Sequence, residues 1–282
     1  MRYTPFYRTA KQVLQSGEVG EPVNITAAED LCFSHYAHSY VRGNWGNTKN
    51  STFMLLTKCC HDLDILAWLM DRPWESVSSF GSLRLFRPEN APTGSTPRCM
   101  AGCRVRGECP FDCERFYLAV GPNYWHTLTE DQTEDGVRRA LRDGRYGRCV
   151  FACDNDVADH QLVNIRFAGG ATAELIMSGL SSKSRRSLQV TCTKGEIYGI
   201  LETGRLTVAP FGREPRVIDL ATGGQAACRG GDSGLISEFV RYISGQPYDT
   251  LSMTGIDASL ASHQIAFAAE ESRLSGATVH NA

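Results

Sequence analysis

No glycine-rich turn of the GxGxxG kind stands between a strand and a helix in these 282 residues, and there is no phosphate-binding loop. The chain therefore shows no recognisable means of cradling a nucleotide's phosphates. The run "GGQAACRGGDSG", residues 223–234, is rich in glycine, but its spacing is wrong for such a turn and it reads as a loop ahead of a helix. Long apolar runs are absent, which excludes a membrane-spanning helix, and the N-terminus has no apolar signal core. Charge of one sign is absent too. Lys and Arg number 29 against 31 Asp and Glu, a net charge of −2 that argues for neither nucleic acid nor an anionic membrane as partner. There is no internal repeat. What remains is the composition of a globular protein, 42% hydrophobic and 21% charged, long enough for a real core. A cytoplasmic location is expected. Eleven cysteines, an odd number in a long chain, fit a secreted disulfide scaffold poorly.

Local signals divide the chain. Thr4, Pro5 and Gly17 bracket a helix over 4–17 whose apolar stripe is Phe6, Ala10, Val13 and Leu14. "EPVNITAAEDLCF" reads as a strand, and "SHYAHSYVRGNWGN" as a loop by composition. A helix is predicted from about Cys60 to Met70, stopped ahead of Pro73. "WESVSSFGSLRLF" alternates like a strand, and residues 87–115, with four prolines and four clustered cysteines, read as an irregular insertion. Residues 129–143 look helical. From 148 to 220, short strands turn at Gly169-Gly170, Lys194-Gly195 and Thr203-Gly204, which predicts an antiparallel meander rather than βαβ units. Helices over 232–244 and 255–275 close the chain.

Four clusters carry chemistry. In "KCCHDLDILAWLM", His61 and Asp64 are three apart and share a helix face, with Thr57 one turn earlier and Lys58 beside it. Asp62 and Asp64 would hold a proton on His61 and the positive helix end would expel it, a balance suited to proton exchange near neutral pH. The same residues would equally serve as a capping cluster. "SHYAHSYVRGNW" offers His35, His38, Arg42, Asn44 and Trp45, donors and acceptors beside a flat apolar ring, as a polyhydroxylated ligand requires. The competing reading is a solvated loop. In "GRCVFACDNDVADHQ", Asp154 to Asp156 read as turn residues, while Asp159 and His160 are better candidates for a ligand-binding edge. Cys99, Cys103, Cys109 and Cys113 are spaced C-x3-C-x5-C-x3-C. They could close a structural zinc site, pair as disulfides, or stay free.

Taken together, "RYTPFYRTAKQVLQSGEVGEPVNITAAE", "AHSYVRGNW", "KCCHDLDILAWL", "YGRCVFACDNDVADHQLVNIRFAGGATA" and "SHQIAFAAEESRLSG" resemble the C-terminal part of the Gfo/Idh/MocA oxidoreductases. The resemblance is to a bacterial subgroup with a cysteine-rich loop, and it runs along essentially the whole chain. It implies an α+β fold, a mostly antiparallel open sheet with helices on one face, preceded by a helix left over from a Rossmann-type domain. Residues 1–20 would be that linker helix and 21–282 the substrate domain. It implies NAD or NADP as the family's cofactor, not bound by this chain alone, since the nucleotide-binding domain would lie upstream of Met1. A truncated or mis-started product is therefore expected, inactive alone, with Arg2 and Tyr3 nearest the cofactor. The family pattern D-x-x-x-H-x-x-D falls on Thr57, His61 and Asp64, and Thr57 departs from it. The resemblance implies proton transfer by His61 during hydride transfer, a sugar, inositol or related polyol as substrate, and homo-oligomers packed through the open sheet. A separate Rossmann-domain chain is a further implied partner. The alternative is a stand-alone, non-catalytic carbohydrate-binding or assembly protein. Loss of the first domain would also leave Phe6, Val13, Ile265 and Phe267 exposed and the chain prone to self-association.

Overall fold

The computed structural model of the chain describes residues 1–120, 122–220 and 226–281. Their centre is one nine-stranded sheet. In chain order the strands are β1 (Pro22–Cys32), β2 (Trp74–Ser82), β3 (His160–Phe167), β4 (Thr172–Ser181), β5 (Arg185–Cys192), β6 (Gly195–Ile200), β7 (Arg205–Pro210), β8 (Arg216–Asp219) and β9 (Val279–His280). Across the sheet they lie β8-β7-β6-β5-β1-β4-β3-β2-β9. All pairings are antiparallel except β1 with β4, so the expected mostly antiparallel α+β class is found. The meander has one interruption that local pattern did not show. Strand β1 is inserted between β4 and β5, parallel to β4, with Ala27 opposite Leu175. The short link 182–184 passes round the end of β1, where Ser184 Oγ accepts a hydrogen bond of 2.9 Å from the Cys32 amide.

The helices are α1 (Pro5–Gln15), α2 (Phe33–Tyr36), α3 (Cys60–Met70), α4 (Cys113–Val120), α5 (Pro122–Leu128), α6 (Glu134–Asp143), α7 (Ala226–Ile243) and α8 (Ile256–Ser275). Alternate residues of the strands, among them Ile25, Val163, Ile165, Leu175 and Met177, bury one sheet face under α3 and α8. The opposite face is open. There Phe80, Leu162 and Ile176 stand opposite one another on β2, β3 and β4, at 65%, 42% and 37% exposure.

Several expectations change. The stretch after β1 is not a solvated loop. It forms α2 and then a π-helical turn, Ala37–Arg42, whose residues are all buried. Composition misled because its polar groups are paired inside the protein. The cysteine-rich insertion continues beyond residue 115 through α4, α5 and α6, which build a second small core from Cys99, Cys113, Tyr117, Val137 and Leu141. Helix α7 begins at Ala226, so much of the glycine-rich run is helical, while its residues 223–225 lie outside the described residues. Phe6, Val13 and Ile265 are buried, not exposed. Phe6 closes on Gly199 of β6, where even a Cβ would come within 3.0 Å of its ring. Ile265 sits on the face of α8 that packs on α3 and β2. Only Phe267 of that set is exposed, at 54%.

Candidate active site

Three elements meet at the head of α3. A π-helical turn, Leu55–Cys59, runs directly into the helix and carries Lys58 on its last part. Strand β1 brings Glu29 in from the buried sheet face, and β5 brings Arg186, which stands opposite Glu29 in the sheet register. Arg186 Nε lies 2.6 Å from Glu29 Oε2 and 2.8 Å from Asp62 Oδ1, and its Nη2 lies 3.1 Å from His61 Nε2. Lys58 Nζ closes the chain at 3.0 Å from Glu29 Oε1. Two cations and two carboxylates thus share a poorly solvated space, and His61 stands beside them.

The tautomer of His61 follows from donor chemistry. A guanidinium only donates, so His61 Nε2 accepts from Arg186 and the ring proton sits on Nδ1, 3.8 Å from Cys60 Sγ. Burial lowers the pKa of His61; Asp62 opposes this and Arg186 and Lys58 reinforce it. The ring is therefore held as a free base near neutral pH. Asp62 Oδ2 has no hydrogen-bond partner and lies 3.5 Å from His61 Nε2, where it would stabilise a proton once taken up. Burial and the neighbouring Asp62 push Glu29 up to about 7, against Arg186 and Lys58.

Asp64 is held differently. Arg2 grips both of its oxygens, Nε at 2.8 Å and Nη2 at 2.7 Å, and lies over the Trp68 ring at 5.3 Å. Arg2, expected near a cofactor, is thus buried against α3. Tyr3, His61, Cys60 and Asp64 line a cleft of about 370 Å³ with Asp232 of α7 and Ser259, Ser262 and His263 of α8. His263 Nδ1 donates to the Ser259 carbonyl at 2.6 Å, which leaves Nε2 as an acceptor. Thr57 spends its hydroxyl on the carbonyls of Phe53 and Met54, at 3.3 and 3.2 Å.

The other predicted residues disperse. His35 stays near the network, and burial with Lys58 and Arg186 lowers its pKa. His38 is enclosed by the insertion. Its Nδ1 meets Tyr117 Oη at 2.8 Å, and its ring stacks on Tyr146 with centroids 4.8 Å apart. Arg42 is buried, with Nε on the Arg148 carbonyl at 2.8 Å and Nη2 on the Phe111 carbonyl at 2.7 Å. Asn44 binds Arg145, and Trp45 stacks on Tyr40 at the surface. Asp159 is fully buried and accepts from the Arg84 and Leu85 amides at 2.8 and 2.7 Å, with His160 at its other oxygen. That is a clasp on the chain leaving β2, away from the cleft lining. Arg186, Glu29 and His263 carried no sequence signal of their own, because only β5, β1 and α8 packing brings them to His61. Among the described residues, no three His, Cys, Asp or Glu side chains stand at metal-holding spacing.

Residues 7–198 match the family model described as the GFO/IDH/MocA C-terminal domain. The chain belongs to this family. YteT of Bacillus subtilis (strain 168), an oxidoreductase by name, is 23% identical over 207 residues, covering 70% of this chain and 46% of that protein. A levoglucosan dehydrogenase solved with NADH and levoglucosan superposes with a TM-score of 0.61 at 14% identity, over 96% of this chain and 62% of that one. The WlbA dehydrogenase from Bordetella pertussis, solved with NADH and UDP-GlcNAcA, gives 0.60 at 13% identity, over 100% and 62%. At such identities the two structures speak for the shared fold. This Gfo/Idh/MocA chain spans about half the length of the curated relative it matches.

Replacing Arg186 with Met leaves Glu29 and Asp62 buried without their shared cation, so a loss of about 3–5 kcal/mol in unfolding free energy is expected by urea titration. A change under about 1 kcal/mol would mean the network contributes little to this fold. His38 titrates at about 4 instead of the ordinary 6.5, because burial, and then His35 and Arg42, oppose its charge. Between those values the unfolded chain takes up a proton that the folded chain refuses. His38 therefore erodes stability as pH falls from 6.5 towards 4 and has no effect above. As pH falls over that window the urea midpoint of His38→Gln should rise relative to the wild type, on top of the slope both proteins share, to which His35 and His61 add with the same sign as His38 and Glu29 with the opposite sign. Parallel pH curves for both proteins would refute the assignment.

Proposed function

We propose that this chain forms the substrate side of an NAD(P)-dependent oxidoreductase that acts on a hydroxyl group of a sugar, inositol or related polyol. The observation that carries the reading is His61. It is a partly buried, neutral imidazole, its side chain 38% exposed, at the wall of a polar cleft, with an unpartnered carboxylate oxygen of Asp62 placed to support it once protonated. A nicotinamide, when bound, would accept or supply the hydride. The residues of this chain would do the remainder. His61 takes the hydroxyl proton as Arg186 Nη2 yields its place at Nε2. Asp62 balances the imidazolium. Asp64, fixed by Arg2, and Ser259, Ser262 and His263 offer the mixed donors and acceptors that orient hydroxyls. Thr57 and Lys58 stay next to this machinery without entering it, Lys58 through its ion pair with Glu29.

The described residues offer a nucleotide no glycine-rich turn, and Arg2 and Tyr3 line the cleft. The nucleotide-binding part then lies outside these 282 residues, upstream in the same polypeptide or on a separate Rossmann-domain chain. Residues 1–20 serve as its linker and 21–282 as the substrate domain. Two dehydrogenases that share the fold were solved with NADH, one with levoglucosan and one with UDP-GlcNAcA, which favours related ligand classes here. Calorimetry of the chain against NAD(H), NADP(H) and a panel of sugars and polyols tests this. Binding of a polyol is expected, weakened about tenfold, or 1.4 kcal/mol, by His61→Ala, with no tight binding of either nucleotide. Failure of every polyol to bind would remove the reading.

The open sheet face is proposed as a homo-oligomer interface. The row Phe80, Leu162 and Ile176 is the apolar feature that supports it. Light scattering should show a dimer or larger species that Leu162→Asp dissociates. An unchanged mass after that substitution would count against this face.

A further inference from the structure

The cysteine-rich insertion encloses a second site. A cavity of about 10 Å³, room for one small sphere, is lined by Cys99, Cys103, Cys109 and Cys149. This is not the set that sequence spacing suggested. Cys113 heads α4, fully buried with Tyr117 and Leu141 in the second core, and does not line the cavity, although its thiol hydrogen-bonds with that of Cys99. Cys149, far along the chain, takes its place because the two segments pair. Arg98 and Arg148 form an antiparallel bridge, the Cys99 amide donates to the Gly147 carbonyl at 3.1 Å, and the Cys149 amide donates to the Pro97 carbonyl at 2.9 Å. The other two thiols arrive on tight turns, one closed by the Cys109 amide on the Val105 carbonyl at 2.9 Å, the other pinned by the Arg104 amide on the Gly94 carbonyl at 3.1 Å.

Beside this cavity lies a charge that needs an answer. Arg42 is 1% exposed, lines the cavity, and gives Nη2 to Cys99 Sγ at 3.7 Å. Among the described residues it makes no ion pair with a carboxylate. The groups that face it are Tyr117 and the thiols of Cys99, Cys113 and Cys153. A buried guanidinium is costly unless an anion answers it. A thiolate at Cys99 answers it in part, and four thiolates on one divalent cation answer it more fully, since the complex carries a net negative charge. The insertion also has no disulfide among its described cysteines and only a small core, the setting in which a metal contributes to folding.

We propose that Cys99, Cys103, Cys109 and Cys149 form a structural four-thiolate site for a zinc-class divalent cation, with Arg42 as its buried counter-charge. The sulfurs rim the cavity and are not gathered at ligand spacing, so closure asks for rotation about χ1. Cys103, Cys109 and Cys149 are only partly buried, which leaves them that freedom. Each thiol gives its proton to solvent as it binds, and no electrons change hands. The Arg42 N–H on Cys99 then orients and stabilises that ligand from outside the coordination sphere.

Metal analysis of the full chain, purified without chelator from zinc-supplemented cells, should find about one zinc per chain. Cys149→Ser and Cys109→Ser should lose most of it, and Cys113→Ser should keep it. Should a ligand variant fail to fold, the cobalt-substituted wild type still decides. Its absorption should show tetrahedral cobalt with four sulfur ligands, and a spectrum of oxygen or nitrogen ligands would overturn the site. Zinc far below one per chain, zinc lost by Cys113→Ser but kept by Cys149→Ser, or iron with acid-labile sulfide in its place would each overturn it too.

Discussion

The guanidinium of Arg186 is the interaction on which the rest of the site depends. It leaves β5, reaches Glu29 on the neighbouring strand, and touches Asp62 and His61 at the head of α3. Sheet and helix are thereby locked by charge as well as by apolar packing. Each carboxylate would be expensive alone in that space, and each is tolerated because the cation is shared. The same contact decides the state of the imidazole. A donor at Nε2 and low solvation keep His61 neutral, so the geometry that stabilises the fold also leaves the imidazole unprotonated.

Strand β1 makes that convergence possible. If the strands had followed sequence order as a plain meander, Glu29 would lie far from Arg186. Its insertion between β4 and β5, parallel to β4, sets Glu29 opposite Arg186. The helix that follows from the π-helical turn then brings His61 and Asp62 over the same spot. Arg2, His38 and Arg42 show the complementary principle. Each looked like a ligand-binding residue, and each is consumed by the protein: Arg2 on Asp64, His38 among tyrosines of the insertion, Arg42 against thiols and carbonyls. In a chain with many polar side chains buried, internal pairing claims most of them before a ligand can.

The legible parts of the sequence were those written in local pattern. Alternation marked β2, and Gly169, Gly170 and Gly204 took the positive φ their turns needed. The spacing of His61 and Asp64 marked one helix face correctly. Local pattern failed where partners are remote. The stretch 34–42 is polar and aromatic and so resembles a loop, yet it is helical and buried from Tyr36 on, with Tyr117 and Tyr146 of the insertion packed on His38. The backbone pairing of Arg98 with Arg148 sets Cys149, which no local spacing pointed to, at the cavity that Cys99 lines.

By itself the sequence determined the class of fold, the family to which the chain belongs, and the helix that carries His61 and Asp64. These rest on periodicity, turn chemistry and motifs, all properties of neighbours in the chain. Only the tertiary structure decided which charges meet. The neutral state of His61, the grip of Arg2 on Asp64, the burial of Arg42 among carbonyls and a thiol, and the place of Cys149 on the cavity that Cys99 lines each need groups far apart in sequence to come together. Electrostatic and hydrogen-bond energies are set by such distances and by burial, and neither is written in the order of the residues.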